Sequence, residues 1–284
     1  MLHTNIKKGA FVEGLNSAEA DRFPVDLIQG ASSHSAQALS LCMRYQQLQS
    51  SEPFPLMISS GRQSLRVNQH QLLHQSSDLP YGSGNAKNLA ESACYQLGVL
   101  ISVLAKLGEI RTCIRVILLP ASELPAYGRF LLGVPLVAHG RFPKALMNSQ
   151  CLLVNHRPRD SLDRHLYESR FNGLLRRKDR LNKDPALRIF DVLRQHPTIR
   201  DIKDIASLLN LPPRQLNQQL VALGTSFFQV MDFYQRDQLV QELKASNDDY
   251  QDVAGRLNMN STRRLGNACH RWFHRSPESI RYRA

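Results

Sequence analysis

The chain has 284 residues, which is enough for one to three domains and a substantial hydrophobic core. Its 36 Lys and Arg outnumber its 24 Asp and Glu, and the net charge of +12 favours acidic partners, nucleic acid first. The longest apolar run, over residues 97–104, is too short to cross a bilayer, and the first 21 residues lack an apolar segment of signal-peptide length, so we expect a cytoplasmic protein without a membrane partner.

The N-terminal part alternates predicted strands and helices. Residues 1–34 show little periodicity, and we expect an irregular lead-in there. The spacing of apolar residues then predicts, in chain order, a helix over 36–48, strands over 54–59 and 63–73, a loop over 76–88, a buried helix over 89–107, a strand over 115–119, a helical turn over 123–130, strands over 134–139 and 145–153, and a helix over 163–178. Gly61 would supply a turn between strands, and Gly108 would end the buried helix. We therefore expect an α+β effector or dimerisation domain over residues 35–173, a basic linker over 174–184 and an all-α domain over 185–284.

The start of the all-α domain carries helix-capping signals. Asp184 followed by Pro185 is typical of an N-cap and the first turn of a helix, which Pro197 would end. Thr198 and Asp201 have nearly the spacing and chemistry of a capping box, with Asp in place of Glu or Gln. Thr198 is therefore the predicted N-cap of the next helix.

The C-terminal domain contains one sequence pattern twice. Ile202, Ile205, Ala206 and Leu209 recur 48 residues later as Tyr250, Val253, Ala254 and Leu257. Each set is followed by a Leu-Asn-Leu or Leu-Asn-Met turn and by a second amphipathic stretch. A helix, a tight turn and another helix make a helix-turn-helix unit. We expect the first unit, HTH1, over about 201–222 and the second, HTH2, over about 249–273.

The second helix of each unit has an apolar face and a polar face. Helical spacing predicts that Leu216, Leu220, Leu223, Leu265, Cys269, Trp272 and Phe273 point inward, and that Arg214, Asn217, Gln218, Thr262, Arg263, Asn267 and Arg271 point outward. Arginine can bridge guanine O6 and N7, and Asn or Gln can bridge adenine N6 and N7 in the major groove. Asn210 and Asn258 occupy turns that need a positive φ, which asparagine tolerates well.

The two units differ in charge. Residues 259–284 contain six Arg against one Glu, whereas residues 201–258 contain five basic and eight acidic residues. The attraction to phosphate should therefore come from HTH2 and from the basic linker, and HTH1 should contribute less to it. Two helical hairpins can also form an ordinary bundle without any nucleic-acid partner. The duplication and the basic second copy together favour DNA binding over this alternative.

The C-terminal sequence resembles the DNA-binding domain of the AraC/XylS family of bacterial transcription regulators. The matching stretches are IASLLNL with PPRQL, GTSFFQVMDFYQRDQL at 224–239, DVAGRLNM, and RWFHRSPESIRYR at 271–283. Residues 127–167 are similar to the end of the effector domain in one branch of that family, which includes regulators of amino-acid catabolism. The resemblance covers most of the chain from about Ala36. It implies two helix-turn-helix units joined by a long helix, here over about 227–245.

The resemblance also implies partners. Duplex DNA at a promoter or operator is the first, with RNA polymerase as a second if the protein activates transcription. The N-terminal domain would bind a small-molecule effector or pair two copies of the chain. The base-reading positions of the family map onto Arg214, Asn217, Gln218, Thr262, Arg263 and Asn267.

This chain departs from the family at several of its matching positions. The family usually has glycine at Asn210 and Asn258, arginine at Gln218 and Asn267, and phenylalanine at Leu265 and Cys269. The core changes stay apolar, but two positive contacts are missing. An alternative function is therefore a helix-turn-helix protein that regulates another factor through protein contacts and no longer reads DNA.

Other constellations are weaker. His70 and His74 have a metal-ligand spacing, but a zinc site needs three or four ligands, so no metal is expected. The five cysteines show no paired spacing and are expected to be reduced thiols, with Cys269 packed as a small apolar group. The sequence has no Gly-rich phosphate loop, no G-x-S-x-G and no paired catalytic carboxylates, so neither an enzyme nor a cofactor is expected.

Overall fold

The structure, a computed structural model, describes residues 9–49, 56–59, 64–67, 83–108, 113–124, 130–131, 133–140, 142–148, 160–179, 184–245 and 247–283. The helices are α1 Ala10–Leu15, α2 Val25–Ala31, α3 Ser35–Gln49, α4 Ser83–Lys106, α5 Ser161–Lys178, α6 Pro185–Gln195, α7 Ile202–Leu208, α8 Pro213–Ala222, α9 Phe227–Ala245, α10 Tyr250–Arg256, α11 Thr262–Phe273 and α12 Pro277–Arg283. The strands are β1 Leu56–Ser59, β2 Ser64–Val67, β3 Ile114–Leu119, β4 Phe130–Leu131, β5 Val134–Ala138 and β6 Lys144–Met147. None of the described helices is both long and apolar enough to cross a bilayer.

One mixed sheet joins the described strands in the order β1-β2-β6-β3-β5-β4. β3 pairs in parallel with β5 and antiparallel with β6, and the other pairs are antiparallel. Ile117 and Leu119 of β3 are fully buried, as expected for a strand with neighbours on both sides. The antiparallel β1–β2 pair confirms that the first two predicted strands pair, and the turn predicted at Gly61 lies outside the described residues.

The predicted irregular lead-in is wrong for the described residues 9–34. They form α1, a short 3-10 helix over Ala18–Arg22, and α2. Phe11 and Ile28 are fully buried. Segments of five to seven residues are too short to show helical periodicity, and they are stabilised here by packing instead.

Helices α1 and α4 pack so closely that glycine is required at the crossing. A Cβ atom on Gly14 would lie 2.0 Å from the carbonyl oxygen of Tyr95, and one on Gly98 would lie 2.3 Å from that of Phe11. Both clashes are with backbone atoms, which cannot move aside as a flexible side chain can. The close contact fixes α1 against the buried helix α4 and so orders the N-terminal segment.

One further local prediction needs correction, and one is confirmed. The predicted loop over 76–88 is helical in its described part, because α4 begins at Ser83. The predicted helical turn over 123–130 lies mostly outside the described residues; at its two ends, a 3-10 helix covers Ala121–Glu123 and β4 begins at Phe130. Glycine content misled the first prediction, since Gly84 lies in the first turn of α4, where a missing side chain costs little. Gly108 has a φ of 79° and follows α4, as predicted for a C-cap glycine.

The predicted linker over 174–184 is helical over most of its described length. Helix α5 continues to Lys178, and Asp184 is the N-cap of α6. The side chain of Asp184 accepts hydrogen bonds from the backbone N–H groups of Ala186 (2.8 Å) and Leu187 (3.2 Å), as the Asp-Pro signal predicted. Basic residues at the end of α5 suit the negative end of the helix dipole, so a basic run there favours helix over linker.

The core does not divide where the sequence predicted a domain boundary. One cluster of buried apolar residues runs from Phe11 to Tyr234 and includes residues of β3, β5 and β6 and of α6, α7 and α8. A second cluster combines Leu162 of α5 with residues of α9 to α12, from Leu239 to Ile280. HTH1 thus shares its core with the N-terminal half, and HTH2 packs around the end of α9 and the start of α5.

A buried ion pair fastens the two halves of the chain. Nε of Arg44, on α3, donates to Oδ2 of Asp184 at 2.8 Å, and Nη2 donates to Oδ1 of Asn172 on α5, also at 2.8 Å. Nearby, the hydroxyl of Ser40 donates to the carbonyl of Leu223 at 2.6 Å, just beyond α8. Helix α3 therefore holds the N-cap of α6 and the end of HTH1 together.

Candidate nucleic-acid interface

HTH1 is built from α7, a tight turn and α8. Helix α7 ends in a Schellman motif, in which the N–H of Leu211 donates to the carbonyl of Ala206 (2.9 Å) and the N–H of Asn210 donates to that of Ser207 (3.0 Å). Asn210 has a φ of 54° in the left-handed region. The motif satisfies the last carbonyls of α7 and turns the chain sharply into α8.

HTH2 repeats this turn with the same hydrogen bonds. The N–H of Met259 donates to the carbonyl of Ala254 (2.8 Å), and the N–H of Asn258 donates to that of Gly255 (3.0 Å). Asn258 has a φ of 56°, which confirms the predicted positive φ at both asparagines. Each donor and acceptor lies 48 residues after its counterpart in HTH1, so the sequence repeat is also a repeat of backbone geometry.

Replacing Asn258 tests how much this turn contributes to stability. We expect Asn258→Ala to lower the free energy of unfolding by about 1 kcal/mol. The Cβ of alanine disfavours the left-handed region, and alanine lacks the polar group by which asparagine compensates for this cost. Asn258→Gly should stay within about 0.5 kcal/mol of the parent, because glycine adopts this conformation freely. Urea denaturation measures both, with Asn260→Ala as an exposed control beside the turn. Equal losses for the alanine and glycine variants would contradict the explanation.

The N-caps of α7, α8 and α11 differ. Asp201 caps α7 by accepting a hydrogen bond from the N–H of Lys203 at 3.0 Å, so the predicted capping box that starts at Thr198 is wrong. Ser261 caps α11 through the N–H of Arg264 at 3.3 Å. Helix α8 has Pro212 at its N-cap and proline in its first turn. The N–H that proline lacks would have no partner within the helix at this position.

The polar faces of α8 and α11 point to solvent. All seven residues predicted to face outward are exposed: Arg214, Asn217, Gln218, Thr262, Arg263, Asn267 and Arg271. The residues predicted to face inward are buried with one exception, since Trp272 is only half-buried and its Nε1 donates to Oδ1 of Asp232 at 3.2 Å. That hydrogen bond joins α11 to α9. Trp272 therefore lies at the edge of the core, with its indole N–H paired.

Fewer arginines of residues 259–284 stay exposed than the sequence count suggests. Arg275 donates to Oδ2 of Asp160 at 2.6 Å, and Arg281 donates to the carbonyls of Leu243 (3.1 Å) and Asp248 (2.9 Å). These two arginines hold HTH2 in place. Arg263 and Arg264 form no ion pair within the described part of the chain, and they stay exposed on the first turn of α11.

Arg264 and Arg271 complete the basic surface of α11. Arg264 was not among the predicted contacts, although its position beside Arg263, directly after the turn, was a usable signal. Arg271 lies at the other end of α11, with its guanidinium carbon 4.6 Å from the centre of the Trp272 ring. The ring restricts the side chain without neutralising it, so a contact with phosphate would cost less side-chain entropy.

The basic run at the end of α5 is mostly engaged within the protein. Nη2 of Arg176 lies 3.0 Å from Oδ1 of Asp191, and Nζ of Lys178 donates to the hydroxyl of Tyr45 at 2.9 Å. Arg177 donates to the carbonyl of Gly173 at 3.4 Å. Arg176 is therefore paired with an acidic residue, whereas Lys178 and Arg177 keep their charge but are held by contacts within the protein.

Arg256 and Cys269 stabilise HTH2 in different ways. Nε of Arg256 donates to Oε2 of Glu242 at 2.7 Å, and this hydrogen bond raises the pKa of the exposed guanidinium further above its usual range. Cys269 is fully buried, and burial raises the pKa of its thiol to about 12. A thiol that stays protonated at neutral pH is a poor nucleophile, so Cys269 acts as a packing residue.

No group of described His, Cys, Asp and Glu residues could hold a metal ion, and His70 and His74 lie outside the described residues.

No protein-family model matches the chain, and no curated protein is significantly similar to it. Among solved structures, it is similar to the transcriptional regulator CdpR from Pseudomonas aeruginosa, with 18% sequence identity and a TM-score of 0.35. The match covers 95% of this chain and 86% of that one.

Proposed function

We propose that this protein is a sequence-specific DNA-binding transcription regulator of the AraC/XylS type, in which each helix-turn-helix unit reads a segment of the major groove. The observation that carries the proposal is the repeated turn. Two units share the same Schellman hydrogen bonds at an offset of 48 residues, and each exposes the polar face of its second helix. An ordinary helical bundle has no need for two identical turns followed by two exposed faces of base-reading residue types.

The single helix α9 would set the spacing of the two units. It runs from Phe227 to Ala245 without interruption, leaves HTH1 at its start and contacts HTH2 near its end. Two reading helices on one face of a duplex meet successive major grooves about 34 Å apart. We therefore expect a bipartite site with its two halves about one helical turn apart.

HTH2 would supply most of the affinity and HTH1 would adjust specificity. Arg263, Arg264 and Arg271 are exposed on α11, whereas α8 presents one arginine, Arg214, among amides. Arginine contacts to phosphate release counterions and make binding salt-dependent. The amides of Asn217 and Gln218 would then discriminate between bases without adding much to the electrostatic attraction.

The test is selection of binding sites by the full chain from a random duplex library, followed by footprinting of the selected sequence. Recovery of a bipartite motif with two protected segments about 10 base pairs apart supports the proposal. Retention of all sequences equally, with uniform loss of binding as salt rises, would overturn specific reading.

Arg263→Ala tests whether this side chain reads a base. If Arg263 bridges a guanine, the change should weaken binding to the selected site by about 1–3 kcal/mol and relax preference at one base pair. Titrations on the parent site and on three single-base variants measure both effects. Arg188→Ala, on α6 outside both units, is the control and should leave affinity unchanged. An equal loss on every sequence would make Arg263 a phosphate contact.

A second candidate function is protein interaction without DNA reading. The acidic balance of residues 201–258, which hold HTH1, α9 and the first helix of HTH2, favours it: eight acidic residues stand against five basic ones, and like charge repels the DNA backbone. On this view the two units hold another regulator. Site selection separates the two, since a protein of this kind enriches no motif but retains a partner in stoichiometric amount.

The remaining parts of the proposal concern regulation. The role is regulatory rather than catalytic, and the protein acts in the cytoplasm. The N-terminal half would sense an effector or pair two copies of the chain, and RNA polymerase would be the second partner of an activator. Deletion of the gene followed by transcript profiling would distinguish activation from repression.

A further inference from the structure

A cavity of about 190 Å³ lies between α5, α6 and α9. It is formed where the helix that follows the sheet meets the first helix of the all-α half and the helix that joins the two units. Its position is separate from the exposed faces of α8 and α11. The cavity therefore belongs neither to the proposed DNA surface nor to the sheet of the N-terminal half.

Two buried donors at this cavity have no acceptor among the described residues. Nδ2 of Asn172 is one and Nε of Arg176 is the other, and both residues line the cavity. Asn172 is only 7% exposed, and its Oδ1 is already used by Arg44. The residues are four apart on α5 and so share one helix face. Buried N–H groups without partners cost free energy, which an acceptor bound in the cavity would recover.

The other charged groups at the cavity favour an anion. Arg194 lines it and forms no ion pair within the part of the chain that the structure describes. The carboxylate of Asp237 also lines the cavity, but it already accepts hydrogen bonds from Ser169 (2.8 Å) and Gln241 (2.6 Å). Nη2 of Arg176 is paired with Asp191 at 3.0 Å, which leaves its Nε for a ligand. The unused hydrogen-bonding capacity is therefore on the donor side, and part of it is cationic.

The size and the apolar wall limit the ligand to a small molecule. Leu187, Phe190, Phe233 and Tyr234 form the apolar part of the lining. A cavity of about 150 Å³ holds benzene, and drug-sized ligands need about 300 Å³ or more. A ring or short branched chain that carries one charged group fits between these limits.

We propose that this cavity binds a small monocarboxylate, with the carboxylate held by Asn172 and the two arginines and the apolar body packed against Phe190 and its neighbours. Arginine and amide N–H groups are suited to a carboxylate because they offer several donors to its two oxygens. The ligand would touch α5, α6 and α9 at once. Any effect of the ligand on DNA affinity rests on the proposed function, whereas the existence of the site does not.

The site also lies one side chain away from the buried ion pair. Asn172 joins the cavity to Arg44, and Arg44 joins α3 to the N-cap of α6. A carboxylate that recruits Nδ2 of Asn172 would restrict the amide that supports Arg44. The ligand is thus placed to stiffen the junction between the N-terminal half and HTH1.

The test measures binding to the full chain without DNA, so its outcome is independent of the proposed function. Calorimetric titration with benzoate is compared with benzamide, its neutral analogue of the same shape, and with acetate and inorganic phosphate. We expect benzoate to bind at least about tenfold more tightly than each of the other three. Failure of benzoate to bind, or equal binding of benzamide, would overturn the proposal. Equal binding of acetate or phosphate would reduce the site to a general anion site and overturn the monocarboxylate assignment.

Two variants locate the site. Asn172→Asp keeps an oxygen for Arg44 but replaces the Nδ2 donor with a repelling oxygen, and it should weaken benzoate binding at least about tenfold. Arg194→Gln removes an exposed charge and should weaken binding severalfold without affecting folding. Arg188→Gln, on the same helix but outside the cavity, should bind benzoate as the parent does. Unchanged affinity in Arg194→Gln and Asn172→Asp would place benzoate elsewhere and contradict the assignment.

Discussion

Replacing Arg44 with methionine is expected to lower the free energy of unfolding by about 3–5 kcal/mol, because it leaves the carboxylate of Asp184 buried without a charged partner. The two side chains are 7% and 0% exposed, and their atoms are 2.8 Å apart. The free-energy cost of an unpaired buried charge far exceeds the few tenths of a kcal/mol that a surface ion pair contributes. Urea denaturation of the parent and the variant measures the difference.

A second substitution separates the lost contact from the stranded charge. Asp184→Asn removes the charge but keeps an oxygen that can cap α6, since asparagine is a good N-cap. The double variant Arg44→Met with Asp184→Asn should therefore be more stable than Arg44→Met alone. If Arg44→Met costs less than about 1 kcal/mol, the pair is not the junction described here.

Truncating Phe273 should have an effect of similar size in the other half. We expect Phe273→Ala to cost about 3–5 kcal/mol, because a buried ring at the end of α11 is lost and a cavity replaces it. Phe273 is 1% exposed, and its ring centre lies 5.5 Å from that of His165 on α5. Since this contact joins HTH2 to α5, hydrogen exchange should quicken more over 250–282 than over 185–245.

Phe228→Ala provides the matched control. Phe228 lies in the first turn of α9 but is 78% exposed, so its truncation should change stability by no more than about 0.5 kcal/mol. Equal losses for the two phenylalanines would mean that Phe273 is not packed as described. A loss for Phe273→Ala with uniform acceleration of exchange would mean that the two core clusters unfold as one unit.

The C-terminal helices were predictable because their signals are local. Helix α6 has an Asp-Pro start, and its apolar residues recur at helical spacing. The turns at Asn210 and Asn258 could be located because a repeated Leu-Asn pair between two amphipathic stretches is typical of a tight turn between helices. The outward faces of α8 and α11 followed from the same periodicity. Trp272 was misplaced because periodicity gives a direction but not a depth.

The shared core could not be read from the sequence because its contacts are distant along the chain. Arg44 and Asp184 are separated by 140 residues, and neither residue shows its partner in the sequence around it. The same is true of the donors at the α5–α6–α9 cavity, which come together only when the helices meet. Arg44 and Asn172 look like ordinary surface residues of amphipathic helices, and only tertiary packing distinguishes them.

The apolar cluster that runs from the N-terminal half into HTH1 limits where this chain could recombine with another protein and still fold. Recombination at the end of α5 would separate Arg44 from Asp184 and would leave Leu187, Ile189 and Leu220 without their partners. A hybrid that kept only residues 185–284 would have to supply a new surface for α6 and α8. HTH2, whose cluster takes Leu162 and the partly buried Leu166 from the N-terminal side, could be replaced at lower cost. Inheritance of the N-terminal half and the first unit together is therefore favoured over independent shuffling.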